Sequence, residues 1–387
     1  MKSNWTMEST EYLQYWANKM RTTQKSLKCA FSIGDIKVSG ASLYVVSAPM
    51  TEPFSISLGT QYDFNGLFVE LACGSEKGYG ECSTIPEITG EYTSAAMETA
   101  QNILLSINGK TYDSLEDFSE SITRIIHGSS AVKNAIEMAA HDLYAKENSI
   151  HITKLLGGSM KPAETSVTIT LGSVKDTLKQ LGVIQKKKPK DIKMKIGVNA
   201  DLDIERIKAV SERLVGEKFY VDANQGYSLQ DAIKVGKVLN GVGAAFFEQP
   251  MDYRDLAKIS YLRKQAGIPI MLDESIVSPR SVIDAIIADA ADYVNVKLTK
   301  SGGIRQALKT LFTAQAYGIK AMVGCMIESK LGIAASLAVA LSSKNVIFYD
   351  LDGFQFLKEQ PFESGIEYRN GMNALTSGKG IACIRKF

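Results

Sequence analysis

Five short apolar runs between Lys193 and Lys297 each end in charged residues, and they recur at nearly equal steps. IKMKI carries Lys193 and Lys195, FYVDAN carries Asp222 and Asn224, and AAFFEQP carries Glu248. IPIMLDES carries Asp273 and Glu274, and YVNVKLTK carries Lys297. Counted from Lys195, the steps to Asp222, Glu248, Asp273 and Lys297 are 27, 26, 25 and 24 residues. That length is one strand, one helix and two short loops. One charged group therefore stands at the C-terminal end of each successive strand. In a barrel of parallel strands those ends converge on one site.

The rest of the chain fits around this period. Strand patterns fall at 165–171, 191–196, 219–224, 244–250, 268–275, 293–300, 319–325 and 345–353, with helical stretches between them. Eight strands and seven helices predict an α/β fold, a (β/α)7β barrel over 156–353 that lacks its last helix. The tail, 354–387, contains Pro361, Gly365 and a strand-like IACIRKF, and is expected to return to the N-terminal domain. Residues 31–155 show strands first (DIKVSGASLYVVSAP, NGLFVELACG) and then helical patterns, without alternation, which predicts an α+β domain. Residues 1–30 look like an extension, in which TEYLQYWANKM has helical spacing at Tyr12, Leu13, Trp16 and Met20.

A length of 387 residues suits two domains or one large barrel with an appendage. A net charge of +2 gives no strong field for nucleic acid or a membrane surface. No run of about 18 apolar residues predicts a membrane span, and the polar N-terminus lacks a signal-peptide core. Five scattered cysteines without CxxC spacing suggest reduced thiols in a cytoplasmic protein.

Asp222, Glu248 and Asp273 at three consecutive strand ends would repel one another unless a cation joined them. Oxygen-only ligands suit Mg²⁺ or Mn²⁺ better than zinc, with Asn224 and Glu274 as supporting neighbours. Lys193 and Lys195 are two apart, so they share a strand face. Ile192, Met194 and Ile196 occupy the other face and pack outward on helices, so the lysines point into the barrel. Two adjacent ammonium groups depress each other's pKa, which makes Lys195 a candidate base. Lys297 enters from strand six, opposite strand two. Amines on two faces of one carbon suit removal of a proton α to a metal-bound carboxylate and its return to the other face through an enediolate. The alternative is that one lysine abstracts the proton while the other only neutralises charge, giving elimination or cycloisomerisation. Asp350 and Asp352, in FYDLDG, have no evident cationic partner and ask for a positive group on the substrate, such as an α-ammonium; a turn-forming DxDG is the plainer reading. All three histidines precede the barrel, and His141 reads as a packed structural residue.

These residues resemble the muconate-lactonising subgroup of the enolase superfamily. KxK on strand two, Asp/Glu/Asp on strands three to five and Lys on strand six carry the likeness. GYGECSTIPEITGE, EMAAHDLYAK with KLLGG, VDANQGYS, FEQP, LDES, KLTKSGG and GCMIES extend it from about residue 35 to the end. The resemblance implies an α+β capping domain, formed by the N-terminal part with the C-terminal tail, that places specificity loops over the barrel mouth. Within the subgroup, Asp350-Leu-Asp352 resembles the DxD motif of dipeptide epimerases. There the pair binds the dipeptide's α-ammonium and the lysines epimerise its C-terminal residue. The same matching puts Thr168 and Cys325 along the substrate. In Ala-Glu epimerases a loop of the N-terminal domain carries an arginine for the glutamate. Here PFSISLGT has Gly59 at that place, and no Arg or Lys occurs from Thr51 to Phe68. An Ala-Ala type dipeptide with a small or apolar second residue fits better. Two relatives, N-acylamino acid racemase and o-succinylbenzoate synthase, act on substrates without a free ammonium and would leave the two aspartates without purpose. An inactive barrel serving as a binding protein would have lost some of the lysines or carboxylates, and none is missing. The family is often oligomeric, and the sequence leaves a homo-oligomer open.

Overall fold

The computed structural model describes residues 20–387. Its centre is an eight-stranded parallel sheet in chain order. The strands are Ser166–Ile169, Asp191–Lys195, Lys218–Asp222, Phe247–Glu248, Ile270–Leu272, Tyr293–Val296, Lys320–Gly324 and Val346–Asp350. Seven long helices alternate with them, from Val174–Gln185 to Lys330–Ala340. Several begin where a short polar side chain takes a free backbone amide: Ser173, Asn199, Ser228, Ser278 and Ser329 each cap a helix. The expected (β/α)7β barrel is thus formed, and a 3-10 turn at Gly353–Phe356 follows the eighth strand.

Alternation along the strands sorts the interior into layers. Ile192, Met194 and Ile196 join the large core beneath the helices. Tyr220, Phe246, Met271 and Phe348 stand two residues before Asp222, Glu248, Asp273 and Asp350, and so share their inward face. They fill the barrel below the charged layer: the Tyr220 and Phe246 rings stack at 4.2 Å, and Phe246 meets Phe348 across the barrel at 4.9 Å. This apolar floor closes the site to water from below.

The sheet has one incomplete seam. The first and eighth strands do not pair through a backbone ladder. Side chains bridge them instead. Thr165 Oγ1 accepts from Leu351 N at 2.9 Å, Ser166 Oγ donates to Asp350 at 2.8 Å, and Asp352 accepts from Thr168 N at 2.8 Å.

The N-terminal part forms a four-stranded antiparallel sheet, Arg21–Leu27, Gly40–Ile56, Gly59–Cys73 and Glu76–Ser83, covered by three helices, Thr93–Ile107, Leu115–Ile125 and Ser130–Glu147. An extension through residue 30 therefore ends too late, since Arg21–Leu27 pairs with residues 41–47. This edge strand is almost wholly exposed. It is held by backbone bonds and carries no apolar alternation, which is why the sequence hides it. The stretch from Asp35 is also divided: Ile36–Val38 belongs to a separate small sheet. The helix expected from TEYLQYWANKM lies, up to residue 19, outside the described residues. The tail does meet this sheet. Arg385 reaches Glu70 at 2.8 Å, and Phe362 and Phe387 pack on Phe68. Among the described residues no helix is long and apolar enough to cross a membrane.

Two contacts join the N-terminal sheet to its surroundings. Gly78 and Gly80 lie against the backbone of helix Ser130–Glu147, and a Cβ at Gly80 would overlap the Ala135 carbonyl. Glu81 reaches the barrel, where its carboxyl accepts from Ser329 N at 2.8 Å and Gly332 N at 2.9 Å at the start of helix Lys330–Ala340. Glu328 faces the same glycine. Burial, then the neighbouring Glu81, pushes Glu328 up to about 8, and burial pushes Glu81 up to about 7.

Two outcomes follow from these contacts. Gly80→Ala is expected to destabilise the fold by about 2–3 kcal/mol in denaturant unfolding, because backbone rather than a flexible side chain must yield. Between about 4.5 and 8 the native state holds the Glu328 proton that the unfolded chain releases, so stability falls as pH rises through that window. Unfolding free energies measured from pH 5 to 9 are expected to fall less steeply in Glu328→Gln.

Candidate active site

The charged layer sits on the aromatic floor at the C-terminal ends of the strands. Asp222, Glu248 and Asp273 are buried, and one carboxylate oxygen from each lies within 4.8 Å of the others. Lys193 points inward between them, 2.9 Å from Asp222, 2.9 Å from Glu248 and 2.7 Å from Asp350. Lys195 donates to Asp222 at 2.7 Å and to Asn224 at 2.9 Å. Asn224, held at a positive φ of 40°, donates in turn to Glu274 at 3.0 Å. Lys297 comes from the far side of the barrel and donates to Asp273 at 2.8 Å.

The electrostatics differ from expectation at one point. Mutual depression of neighbouring ammonium groups does not prevail at Lys193. Burial pulls it down, but Asp222, Asp350 and Glu248 outweigh that and hold it well above the ordinary lysine range. At Lys297 burial is likewise outweighed, chiefly by Asp273. Among the carboxyls, burial opposes ionisation everywhere and the cations decide the outcome. Lys193 and Lys195 bring Asp222 down to about 2, whereas burial and the Asp222 charge push Glu248 up to about 8.

Asp350 is not free, as the sequence suggested, because Lys193 and Ser166 both bind it. Its partner residue comes from a strand 157 positions earlier in the chain, which no local pattern reveals. Asp352 fits the expectation better. Among the described residues it is bound by Thr168, whose amide donates to it at 2.8 Å, and burial and Asp350 push it up to about 6. His141 is packed in its helix, with burial pushing it down to about 4.

Above this layer lies a cavity of about 300 Å³. Thr168, Lys193, Lys195, Lys297, Cys325, Asp350 and Asp352 all open on it, as does Asn224. The N-terminal domain supplies the roof, whose apolar part is Phe54, Ile56, Leu58, Ile85, Ile88 and Tyr92 and whose polar part includes Gln61, Asp63, Asn65 and Glu87. Gly59 is at the rim, and no cation of that domain lines the cavity among the described residues. The hairpin tip is fastened to the barrel by Ser57, whose hydroxyl lies 2.8 and 2.9 Å from the carbonyl oxygens of Ala223 and Asn224.

Three supporting residues escaped the sequence reading. Lys300 is fully buried and donates to the Asp273 carboxylate and carbonyl and to Asn295 O. Asn295 donates to Glu248 at 2.8 Å. Gln249 accepts from the Asp273 amide at 2.9 Å. Lys300 stands one helical turn after Lys297 in KLTKSGG, which was its only signal. The three carboxylates fit a hard divalent cation. They offer only oxygen, and Glu248 Oε2 is buried without a hydrogen bond, since Lys193 lies close but out of line.

Comparison with known proteins gives a consistent neighbourhood. Residues 41–157 match the mandelate racemase/muconate lactonizing enzyme N-terminal domain, and residues 176–383 match the enolase C-terminal domain-like family. The chain is 30% identical over 345 residues to the L-Ala-D/L-Glu epimerase of Bacillus subtilis, covering 88% of this chain and 94% of that protein. It is 31% identical over 336 residues to the D-Ala-D/L-Ala epimerase of Cytophaga hutchinsonii, covering 86% and 91%. The crystal structure of a dipeptide epimerase from Cytophaga hutchinsonii, complexed with Mg and the dipeptide D-Ala-L-Val, matches with a TM-score of 0.85 at 30% identity. That match covers 89% of this chain and 95% of the other.

Lys300 fixes the orientation of Asp273, so its loss should loosen the carboxylate set. Titration calorimetry with Mg²⁺ is expected to show about 10–100-fold weaker binding to Lys300→Met.

Proposed function

Because this chain belongs to the enolase superfamily, we propose that it epimerises the C-terminal residue of a dipeptide with a small or apolar second residue. The observation that carries this reading is the set of groups around one cavity. Lysines come from opposite sides of the barrel, the buried Asp352 stands at the seam, and the roof offers apolar side chains and no cation among the described residues.

In this reading Asp222, Glu248 and Asp273 hold Mg²⁺, with Mn²⁺ as a substitute. The bound cation supplies positive charge to the substrate carboxylate as its α-proton leaves. Asp352, with Asp350 beside it, accepts the substrate's α-ammonium. Lys193 keeps Asp350 ionised and in place. Lys195, as the free amine, takes the α-proton of the second residue, and Lys297, as ammonium, delivers a proton to the opposite face. For the other enantiomer the two exchange roles, so one pair of lysines serves both directions. Asn224 orients Lys195, and Glu274 orients Asn224. Thr168 and Cys325 line the substrate's path. The side chain of the second residue lies under Phe54, Ile56 and Ile85. A glutamate there would find no cation from the roof, which is why an Ala-Ala type substrate is preferred to Ala-Glu.

The test is α-proton exchange in D₂O with Mg²⁺, followed by mass spectrometry. Deuterium is expected at the second residue of Ala-Ala and of Ala paired with other apolar residues. Lys195→Ala and Lys297→Ala should each lose about 10²–10⁴-fold in epimerisation. Exchange confined to N-acylated amino acids would overturn the dipeptide reading. Full epimerase activity in either lysine variant would overturn the base assignment.

A further inference from the structure

A second cavity, of about 420 Å³, lies on the outer side of the seam between the first and eighth barrel strands. Thr168 and Asp352 line both cavities. The wall between the two is therefore this contact, beside the Phe54 ring packed on Phe356 at 4.9 Å, and not a backbone ladder.

Its lining is apolar near the seam and donor-rich farther out. Val167, Leu171, Ile184 and Phe356 make the apolar part. Lys187 Nζ donates to Gln355 Oε1 at 3.0 Å, which holds the carboxamide. The other end of that carboxamide, Gln355 Nε2, is buried with no hydrogen-bond partner. A buried donor without an acceptor costs free energy, so this position favours a ligand that brings one. Lys179 at the rim hydrogen-bonds to no described residue. Of the three acids on the lining, Asp352 stands at the seam, Asp176 is engaged in capping its own helix and Glu52 is solvent-exposed.

We infer that this cavity receives the side chain of the substrate's first residue, and that it selects a long side chain ending in an oxygen acceptor, glutamine above all. The inference rests on the dipeptide reading. An ammonium held at Asp352 puts the first residue's Cα beside the wall shared by the two cavities. The peptide group must then run toward the lysines, and the roofed cavity is taken by the second residue. The side chain of the first residue is left to cross the Thr168–Asp352 contact. A glutamine there lays its methylenes on Val167 and Phe356 and offers its carbonyl to Gln355 Nε2.

The test compares kcat/KM for exchange at the second residue of Ala-Ala, Leu-Ala and Gln-Ala. In the native enzyme Gln-Ala is expected to exceed Ala-Ala by about tenfold and to exceed Leu-Ala. Val183 lines the cavity and is 53% exposed, so a larger residue there does not disturb the core. Val183→Trp is expected to lower the Gln-Ala to Ala-Ala ratio about tenfold, and Gln355→Leu to reverse the order of Gln-Ala and Leu-Ala. Turnover of Ala-Ala with no preference for Gln-Ala, or an unchanged ratio in Val183→Trp, overturns the inference and leaves the dipeptide reading standing. No exchange with any dipeptide overturns both.

Discussion

Charge balance inside a closed barrel governs this molecule. Asp222, Glu248, Asp273 and Asp350 are all buried at one end of eight strands. Carboxylates so placed are tolerated only if opposite charge is equally close. Lys193 answers three of them, Lys195 and Lys297 answer from the two sides, and Lys300 answers from behind. The same arrangement leaves Glu248 poorly satisfied, and that shortfall is what a divalent cation would relieve. The aromatic layer beneath makes these interactions strong by keeping water out.

The barrel was legible because its signal is redundant. A step of about 25 residues repeats, and each repeat ends in a charge at the C-terminal end of its strand. The three clustered carboxylates and the lysines follow from that register alone. What could not be read depends on contacts between distant segments. Arg21–Leu27 is a strand by virtue of its neighbour rather than its own residues. Asp350 looked unpaired because Lys193 belongs to another repeat. Lys300, Asn295 and Gln249 matter through atoms that point sideways between strands, and strand periodicity says nothing about those directions.

The two domains divide the work differently from what their sizes suggest. The barrel holds every charged group that touches the cavity floor, while the N-terminal domain contributes a lid of mixed apolar and polar residues and a few anchoring bonds. Ser57 ties the hairpin tip to the backbone of Ala223 and Asn224, beside the residue that orients Lys195. Glu81 ties the same sheet to the helix after the seventh strand. With Ser83, whose hydroxyl donates to Ile327 O at 2.7 Å, these ties register the lid against the C-terminal end of the barrel at several separate points.

The seam between the first and eighth strands has a consequence for how such an enzyme diversifies. Residues 54–61 form a hairpin tip whose side-chain ties to the barrel are few, chiefly Ser57 and the Phe54 ring on Phe356, so most of its side chains are free to drift. Asp350 and Asp352 have no such freedom, because the same carboxylates latch the last strand to the first. Mutational change at one end of the substrate is then nearly independent of folding, while change at the other end is paid in barrel closure. A lineage built on this scaffold would be expected to vary its hairpin tip far more readily than its pair of seam aspartates.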